Sequence, residues 1–417
     1  MPAQAVEAEL ARPVLPGLVA PAWEGRTLGS ILVSVLRAFG ARADGLLPPL
    51  RDLPPEVFEG VERVVLLTLD GWGWRQLHDH LQGGWAQLAA RGALTPLTTV
   101  CPSTTTASFA TLNTGVAPAQ HGLVGYLLWL QEFGCIANMV SFAPAVGGRG
   151  LDGQMLPETF FDTPTAAQLL KPAGAWHLNV TRREFLGSAL TRMLYQGSDA
   201  VGTSTLGELL VELRRGLQAM KGSAGLLQGY WPSLDTVAHA RGPRSEHHAA
   251  EIALLGDAIE RELASKVDDP TALLLITADH GLTTVPPAHM LRVRDHPELA
   301  DALLLPPWGD SRWGFLQPRA DRAADVRRLL EERWGKEGLV LDIAQVEQLK
   351  LLGPGPWSAR TRRRVADLVA LPPPNRGIAW PFQHDLPGRP PKEELIGRHG
   401  GATAEEMLVP LLAVRLG

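Results

Sequence analysis

The sequence predicts an α/β fold in which helices cover a mostly parallel sheet, and three observations carry that prediction. Apolar runs such as VERVVLLTLDG (Val61 to Gly71) and LLLITADHGL (Leu273 to Leu282) lack the alternation of a half-exposed strand, as expected for strands buried on both faces. Helical periodicity follows strand-like runs repeatedly, which places helices between parallel strands. Each run also finishes on an acid, at the end where open α/β sheets bind ligands.

In chain order, residues 1–60 read as a peripheral segment with one covering helix, TLGSILVSVLRAFGARA, between proline-rich connectors. The Val61 run is the first core strand and closes on Asp70. TTASFATLNTGVAP (Thr105 to Pro118) has a hydroxyl-rich start, small apolar residues and a Gly115/Pro118 stop, so it reads as a helix beginning near Thr105. AGLLQGYWPSLD (Ala224 to Asp235) reads as a strand finishing on Asp235, and SEHHAAEIALLGDAIERELASK as a helix capped by Ser245. EEMLVPLLAVRL (Glu405 to Leu416) is the last apolar run. From Pro286 to Lys392 the composition shifts to proline, tryptophan and arginine around one amphipathic helix, ADRAADVRRLLEERWG. The expected organisation is a core of residues 61–285 and 393–417, with residues 286–392 inserted as a cap.

At 417 residues and 45% apolar composition, the chain has material for a large core. A net charge of -5 with scattered basic residues argues against a nucleic-acid polymer as partner, and RTRRR (Arg360 to Arg364) reads as a solvated helix face. Cys101 and Cys135 form neither a metal spacing nor a disulfide framework. Neither a leader pattern nor an apolar run of about 18 residues is present, so the expectation is a cytoplasmic protein with no membrane association.

Asp70, Asp235 and the Asp279-His280 pair should therefore converge on one sheet edge. Any one acid after a strand is as readily a cap or a turn residue. Three together in a cleft repel one another at a cost of several kcal/mol per poorly solvated ion unless cations are present. His239, four residues beyond Asp235, falls on the same helix side if a helix starts there. His399, in RHGG, is a further candidate, with glycines that permit close backbone approach. Mixed imidazole and carboxylate donors favour zinc or another transition ion over magnesium. Two divalent ions about 3.5–4 Å apart would suit in-line displacement at phosphorus. Thr104, Thr105 and Thr106 stand at a helix start that favours anions, and a metal-bound hydroxyl there would be an activated nucleophile. Taken alone, such a cluster is more often a helix cap.

LLTLDGW, PSTTTASFATLNTGVAPAQHGLVGY, DTVAH, TADHG and HGGATAEEMLVPLL occur in the order and approximate spacing of the alkaline phosphatase superfamily, and the chain most resembles its type I phosphodiesterase/nucleotide pyrophosphatase branch. The resemblance covers about Val61 to Val140, about Ala224 to Thr284, and the tail from Arg398. It implies a three-layer αβα core and two divalent ions, zinc as a rule, with manganese as the alternative. Asp70, Thr105, Asp279 and His280 match the ligands of one ion, and Asp235, His239 and His399 those of the other. Thr105 matches the nucleophile. By analogy it forms a phospho- or nucleotidyl-threonine intermediate that is hydrolysed with net retention at phosphorus.

The chain also departs from that pattern. Tyr126, in HGLVGY, stands where eukaryotic relatives carry a phosphoryl-binding asparagine, so it is the candidate substrate contact, as a phenol donor. Those relatives are mostly secreted and disulfide-rich, unlike this chain. His78, His80, His247 and His248 read as exposed helix residues, and His121 as structural. Trp72 and Trp74 suit either base stacking or core packing. CPSTT lacks the proline and arginine of a sulfatase C-x-P-x-R motif. Three functions follow: hydrolysis of a small or nucleotide-like phosphodiester or pyrophosphate, hydrolysis of a phosphomonoester or phosphonate, or metal or phosphate binding without catalysis. Substrate identity and oligomeric state are not written in any motif.

Overall fold

The computed structural model describes residues 1–380 and 395–417, so the expected end of the cap at residue 392 lies outside the described residues. Its centre is a seven-stranded sheet of β1 (Arg63–Leu69), β2 (Gly92–Thr98), β3 (Trp176–Arg182), β4 (Asp199–Thr203), β5 (Gly225–Trp231), β6 (Asp269–Thr277) and β7 (Leu408–Leu416). The order across the sheet is β2-β7-β6-β1-β5-β3-β4. β1 pairs in parallel with β5 and β6, and β3 in parallel with β5 and β4. β7 runs antiparallel to both its neighbours, β6 and β2. All seven residues of β1 are buried, so both of its faces are covered, and this is why the run shows no alternation. The fold is the three-layer αβα arrangement with a mostly parallel central sheet.

Four helices matter for the site and its support: α1 (Gly29–Ala38), α2 (Thr105–Thr114), α3 (Ser233–Arg241) and α4 (Glu246–Ile259). α1, expected at the periphery, buries Ile31, Leu32, Val35 and Leu36 in the same core as β1 and β6. α2 ends where predicted, on Gly115 in the left-handed region at φ 70°. The strand expected to finish on Asp235 instead ends at Trp231, because Pro232 cannot continue the ladder, and α3 starts at Ser233. Asp235 therefore belongs to the first turn of a helix. Ser245 caps α4 as expected, accepting a hydrogen bond from the His248 amide at 3.2 Å.

A second seven-stranded sheet crosses the expected cap boundary. Its strands run in the order 339–342, 368–371, 313–316, 308–310, 127–130, 135–138 and 143–144. The two contributions meet where Gly309 pairs with Leu127. Residues 286–380 are thus built onto the strands that follow α2, around a core that includes Trp308, Trp313, Phe315, Phe142 and Phe160. Among the described residues, no helix is long and apolar enough to cross a membrane.

Candidate active site

The three central strands β6, β1 and β5 are adjacent and parallel, so the segments after them leave the sheet at one edge. Asp70 follows β1 directly, Asp279 and His280 follow β6, and α3 carries Asp235 and His239 just beyond β5. Gly71 makes this convergence possible. It sits at φ +76°, and a Cβ there would come within 2.9 Å of both Cα and Cβ of Asp235. Its amide donates to Oδ1 of Asp279 at 3.1 Å, and the Asp235 amide donates to the Asp70 carbonyl at 2.9 Å. Backbone contacts therefore fix the three acids relative to one another before any ion is considered.

The side chains then form two overlapping groups, Asp70 with Asp279 and His280, and Asp235 with His280 and His399, each compact enough to hold a metal ion. Nε2 of His280 lies 3.5 Å from Oδ1 of Asp70, 3.4 Å from Oδ2 of Asp279 and 3.2 Å from Oγ1 of Thr105. Oδ1 of Asp235 lies 3.2 Å from Nε2 of His239 and 3.9 Å from Nε2 of His399. The rings of His280 and His399 stack at 3.9 Å, and those of His239 and His399 are 5.2 Å apart. All seven residues predicted as ligands from the sequence are brought to this one edge.

A pair of cations fits this donor set on two counts. Asp70, Asp235 and Asp279 each leave one buried carboxylate oxygen without a hydrogen bond, and these are the same oxygens that face the imidazoles. Each imidazole also has its Nδ1 against a backbone carbonyl: His239 on Gly397 at 2.7 Å, His280 on Gly281 at 3.2 Å and His399 on Ser103 at 3.2 Å. An Nδ1–H donated there leaves Nε2 as the free lone pair, the tautomer a metal ligand needs.

The electrostatics agree. Burial, then the charges of Asp279 and Asp235, drives the Asp70 carboxyl well above its usual range, with the Tyr230 hydrogen bond opposing. Burial pushes Asp235 up to about 7, His280 drawing it down and Asp279 raising it. Burial, then His280 and His239, holds His399 far below its usual value, and burial lowers His239 as well. Neutral imidazoles are ready ligands, whereas carboxylates crowded in this way need positive charge beside them to stay ionised.

Thr105 opens α2 and borders a cavity of about 230 Å³ that also reaches Asp70, Asp235, His239 and His399. The cavity wall is largely apolar, with Phe109, Val140, Phe185, Leu190, Leu194 and Tyr195 on it. Tyr126 lines it too, and its hydroxyl is engaged by the side-chain amide of Asn138. The Tyr126 oxygen thus accepts from Asn138 and keeps its own proton for a further acceptor.

Sequence reasoning missed two contributors. Tyr230 donates its hydroxyl to Oδ2 of Asp70, and its ring meets Phe109 edge-on at 4.7 Å. Its placement near the end of a buried strand, five residues before Asp235, was the available signal. Asp310, from the second sheet, accepts from Oγ1 of Thr104 at 3.2 Å and from the Tyr126 amide at 3.0 Å. No motif marks it.

The bland readings separate. Trp72 and Trp74 are core residues, Trp72 packing on Trp85 at 4.4 Å between ring centroids. His121 is buried and structural, bonded to Oγ1 of Thr111 and the Leu123 amide at 3.1 Å each. His78 and His247 are exposed as expected and His80 is half-buried, but His248 is fully buried because it faces inward from the first turn of α4.

A mostly parallel sheet that gathers these donors around a hydroxyl at a helix start is the architecture of a phosphoesterase of the alkaline phosphatase superfamily. The chain belongs to the type I phosphodiesterase / nucleotide pyrophosphatase family, whose model matches residues 64–402. Among curated protein sequences none matches the chain significantly. Among solved structures, murine ectonucleotide pyrophosphatase / phosphodiesterase 5 aligns at TM-score 0.61 and 17% identity, covering 84% of this chain and 87% of its own. An inactive threonine-to-alanine form of that murine protein, in complex with AMP, aligns at 0.62 and 16%, covering 85% and 88%. Phosphonoacetate hydrolase from Sinorhizobium meliloti, in complex with phosphonoacetate, aligns at 0.61 and 18%, covering 89% and 92%. At these identities the solved structures establish the shared fold.

Proposed function

We propose that the protein is a metal-dependent hydrolase that cleaves the phosphodiester or pyrophosphate bond of a small, nucleotide-like substrate, with Thr105 as nucleophile. The observation that carries this reading is the position of Oγ1 of Thr105, 3.2 Å from Nε2 of His280 at the start of α2, beside three carboxylates with unpartnered oxygens. Asp70, Asp279, His280 and Thr105 would hold one divalent ion, and Asp235, His239 and His399 the other. Mixed nitrogen and oxygen donors favour zinc, with manganese as alternative. When bound, such ions supply Lewis acidity that lowers the threonine pKa and neutralises charge on the phosphoryl group.

The chain's own residues do the rest. The uncapped backbone amides at the start of α2 would donate to a phosphoryl oxygen held beside Thr105. The Oγ1–phosphorus bond would form as the bond to the leaving oxygen breaks, with the threonine proton passing to that leaving oxygen. Water would then add its oxygen to phosphorus, break the phosphothreonine ester and give one proton to Oγ1. The murine relative solved with AMP in an inactive threonine-to-alanine form supports a threonine in this role.

Hydrolysis of a phosphomonoester or phosphonate is the second reading, favoured by the likeness to phosphonoacetate hydrolase. Against it, no Lys or Arg is among the described residues that line the cavity to hold an additional negative charge. The two cysteines are unpaired, which supports the cytoplasmic placement we propose with this function.

The test is elemental analysis of the purified protein, followed by hydrolysis of bis- and mono-p-nitrophenyl phosphate with zinc, manganese or magnesium. Faster turnover of the diester, abolished by Thr105→Ala, is the expected result. Monoester preference selects the second reading, and absence of metal-dependent turnover overturns both.

A further inference from the structure

We infer that Asp310, contributed by the second sheet, is a positioning residue that keeps the start of α2 open for a phosphoryl group by holding the Thr104 hydroxyl away from it. This inference rests on the function proposed above.

Thr104 is the N-cap residue of α2, with extended backbone at φ -136° and ψ 147°, the geometry in which a threonine oxygen ordinarily accepts from the second or third helical amide. Here the side chain makes no such bond. Its Oγ1 donates instead to Oδ1 of Asp310 at 3.2 Å. A capping oxygen and a phosphoryl oxygen compete for the same amides, and an ordinary cap would fill the place the substrate needs. Turning the hydroxyl toward Asp310 leaves those amides to the cavity, which Thr104 and Thr105 both line.

Asp310 is tied in on two further sides. Its Oδ2 accepts from the Tyr126 amide at 3.0 Å, so the same carboxylate fixes the backbone of a residue on the cavity wall. It also packs against Gly400, directly after His399. Gly400 sits at φ +105°, and a Cβ there would lie 2.5 Å from Cβ of Asp310. One carboxylate thereby ties the second sheet to the nucleophile helix, the cavity wall and the ligand-bearing tail.

The test compares wild type, Asp310→Ala, Thr104→Val and the double variant for kcat and KM on bis-p-nitrophenyl phosphate, for inhibition by orthovanadate, and for binding of inorganic phosphate by calorimetry. In Asp310→Ala the freed Thr104 hydroxyl caps the helix, so kcat and the affinities for vanadate and phosphate fall about tenfold or more. Adding Thr104→Val removes the competing oxygen and restores anion affinity to within about threefold of wild type, since loss of the hydroxyl leaves the amides free. Wild-type anion affinity in Asp310→Ala, or loss that the second substitution does not rescue, overturns the inference. Should Asp310→Ala fail to fold, Asp310→Leu serves in its place. It keeps side-chain volume beside Gly400 but offers the Thr104 hydroxyl neither an acceptor nor a donor, so unchanged KM together with unchanged vanadate affinity overturns the inference as well. If wild type hydrolyses no phosphoester, the functional reading fails, and phosphate binding across the four proteins still decides the role of Asp310.

Discussion

The hydroxyl of Tyr230 donates to Oδ2 of Asp70, which leaves Oδ1 as the oxygen turned toward His280. Tyr230 is half-buried, and its ring reaches the cavity wall against Phe109 and Phe185. One residue therefore orients a candidate metal ligand and shapes the substrate pocket. Partners of this kind typically contribute about 10–100-fold to metal affinity or activity. Tyr230→Phe keeps the ring and its packing but frees Oδ2. The expected outcome is a loss of zinc affinity of that order in chelator competition, with the melting temperature of the metal-free protein little changed. Unaltered metal affinity would show that Asp70 needs no such restraint.

Metal removal is the second test. With the ions gone, three carboxylates crowd one edge, and burial, with the charge of Asp279 beside them, drives Asp70 and Asp235 toward the protonated form. A ligand that binds only the folded protein at about a hundred times its dissociation constant stabilises by about 2.7 kcal/mol. Dialysis against a chelator should therefore lower the melting temperature, and added zinc or manganese should restore it. The idea sinks if the protein as purified holds no metal and melts identically with and without added ions.

What the sequence made legible follows from how directly each feature is encoded. β1 and β6 were readable because burial on both faces demands an unbroken apolar run, and Asp70 and Asp279 because they end those runs. Asp235 was found, but its element was misread: Pro232 stops the strand and α3 begins earlier than the apolar pattern suggests. Asp310 was invisible, because its relevance depends on a second sheet whose strands come from residues 127–144 and 308–371, and no local signal encodes that pairing. His248 misled for a related reason. Adjacent histidines on a helix point about 100° apart, so one can face solvent while the other is buried.

The Arg312–Glu406 pair gives a prediction about stability. Both side chains are buried, and Nε and Nη2 of Arg312 reach the two carboxylate oxygens of Glu406 at 3.1 and 3.2 Å. Arg312 also donates to the carbonyls of Pro372 and Pro373, and Glu406 accepts from the Gly401 amide at 2.9 Å, two residues beyond His399. The pair joins the second sheet to the ligand-bearing tail. Removing one partner leaves a buried charge uncompensated, typically at a cost of about 3–5 kcal/mol. Arg312→Met should thus lower the denaturation midpoint substantially and weaken metal binding. Arg312→Met with Glu406→Leu should recover much of the stability. A single variant as stable as wild type would mean that the tail is held by other contacts.

Acid sensitivity should come partly from His248. The side chain is fully buried, and burial, then the proximity of His80, brings its pKa down to about 4. An unfolded histidine titrates near 6.5. A base with a lower pKa in the folded state binds fewer protons there than in the unfolded chain, so stability is intact above about 6.5 and declines as pH falls toward 4. The size of the effect is about 3 kcal/mol at pH 4 for this one group. His121, brought down to about 3 by burial and then by Arg364, acts in the same direction. Denaturant titrations at pH 7 and pH 4.5 should therefore show a steeper acid loss for wild type than for His248→Leu, which has no proton to take up. Equal losses in the two proteins would mean that His248 is solvated or already protonated in the fold.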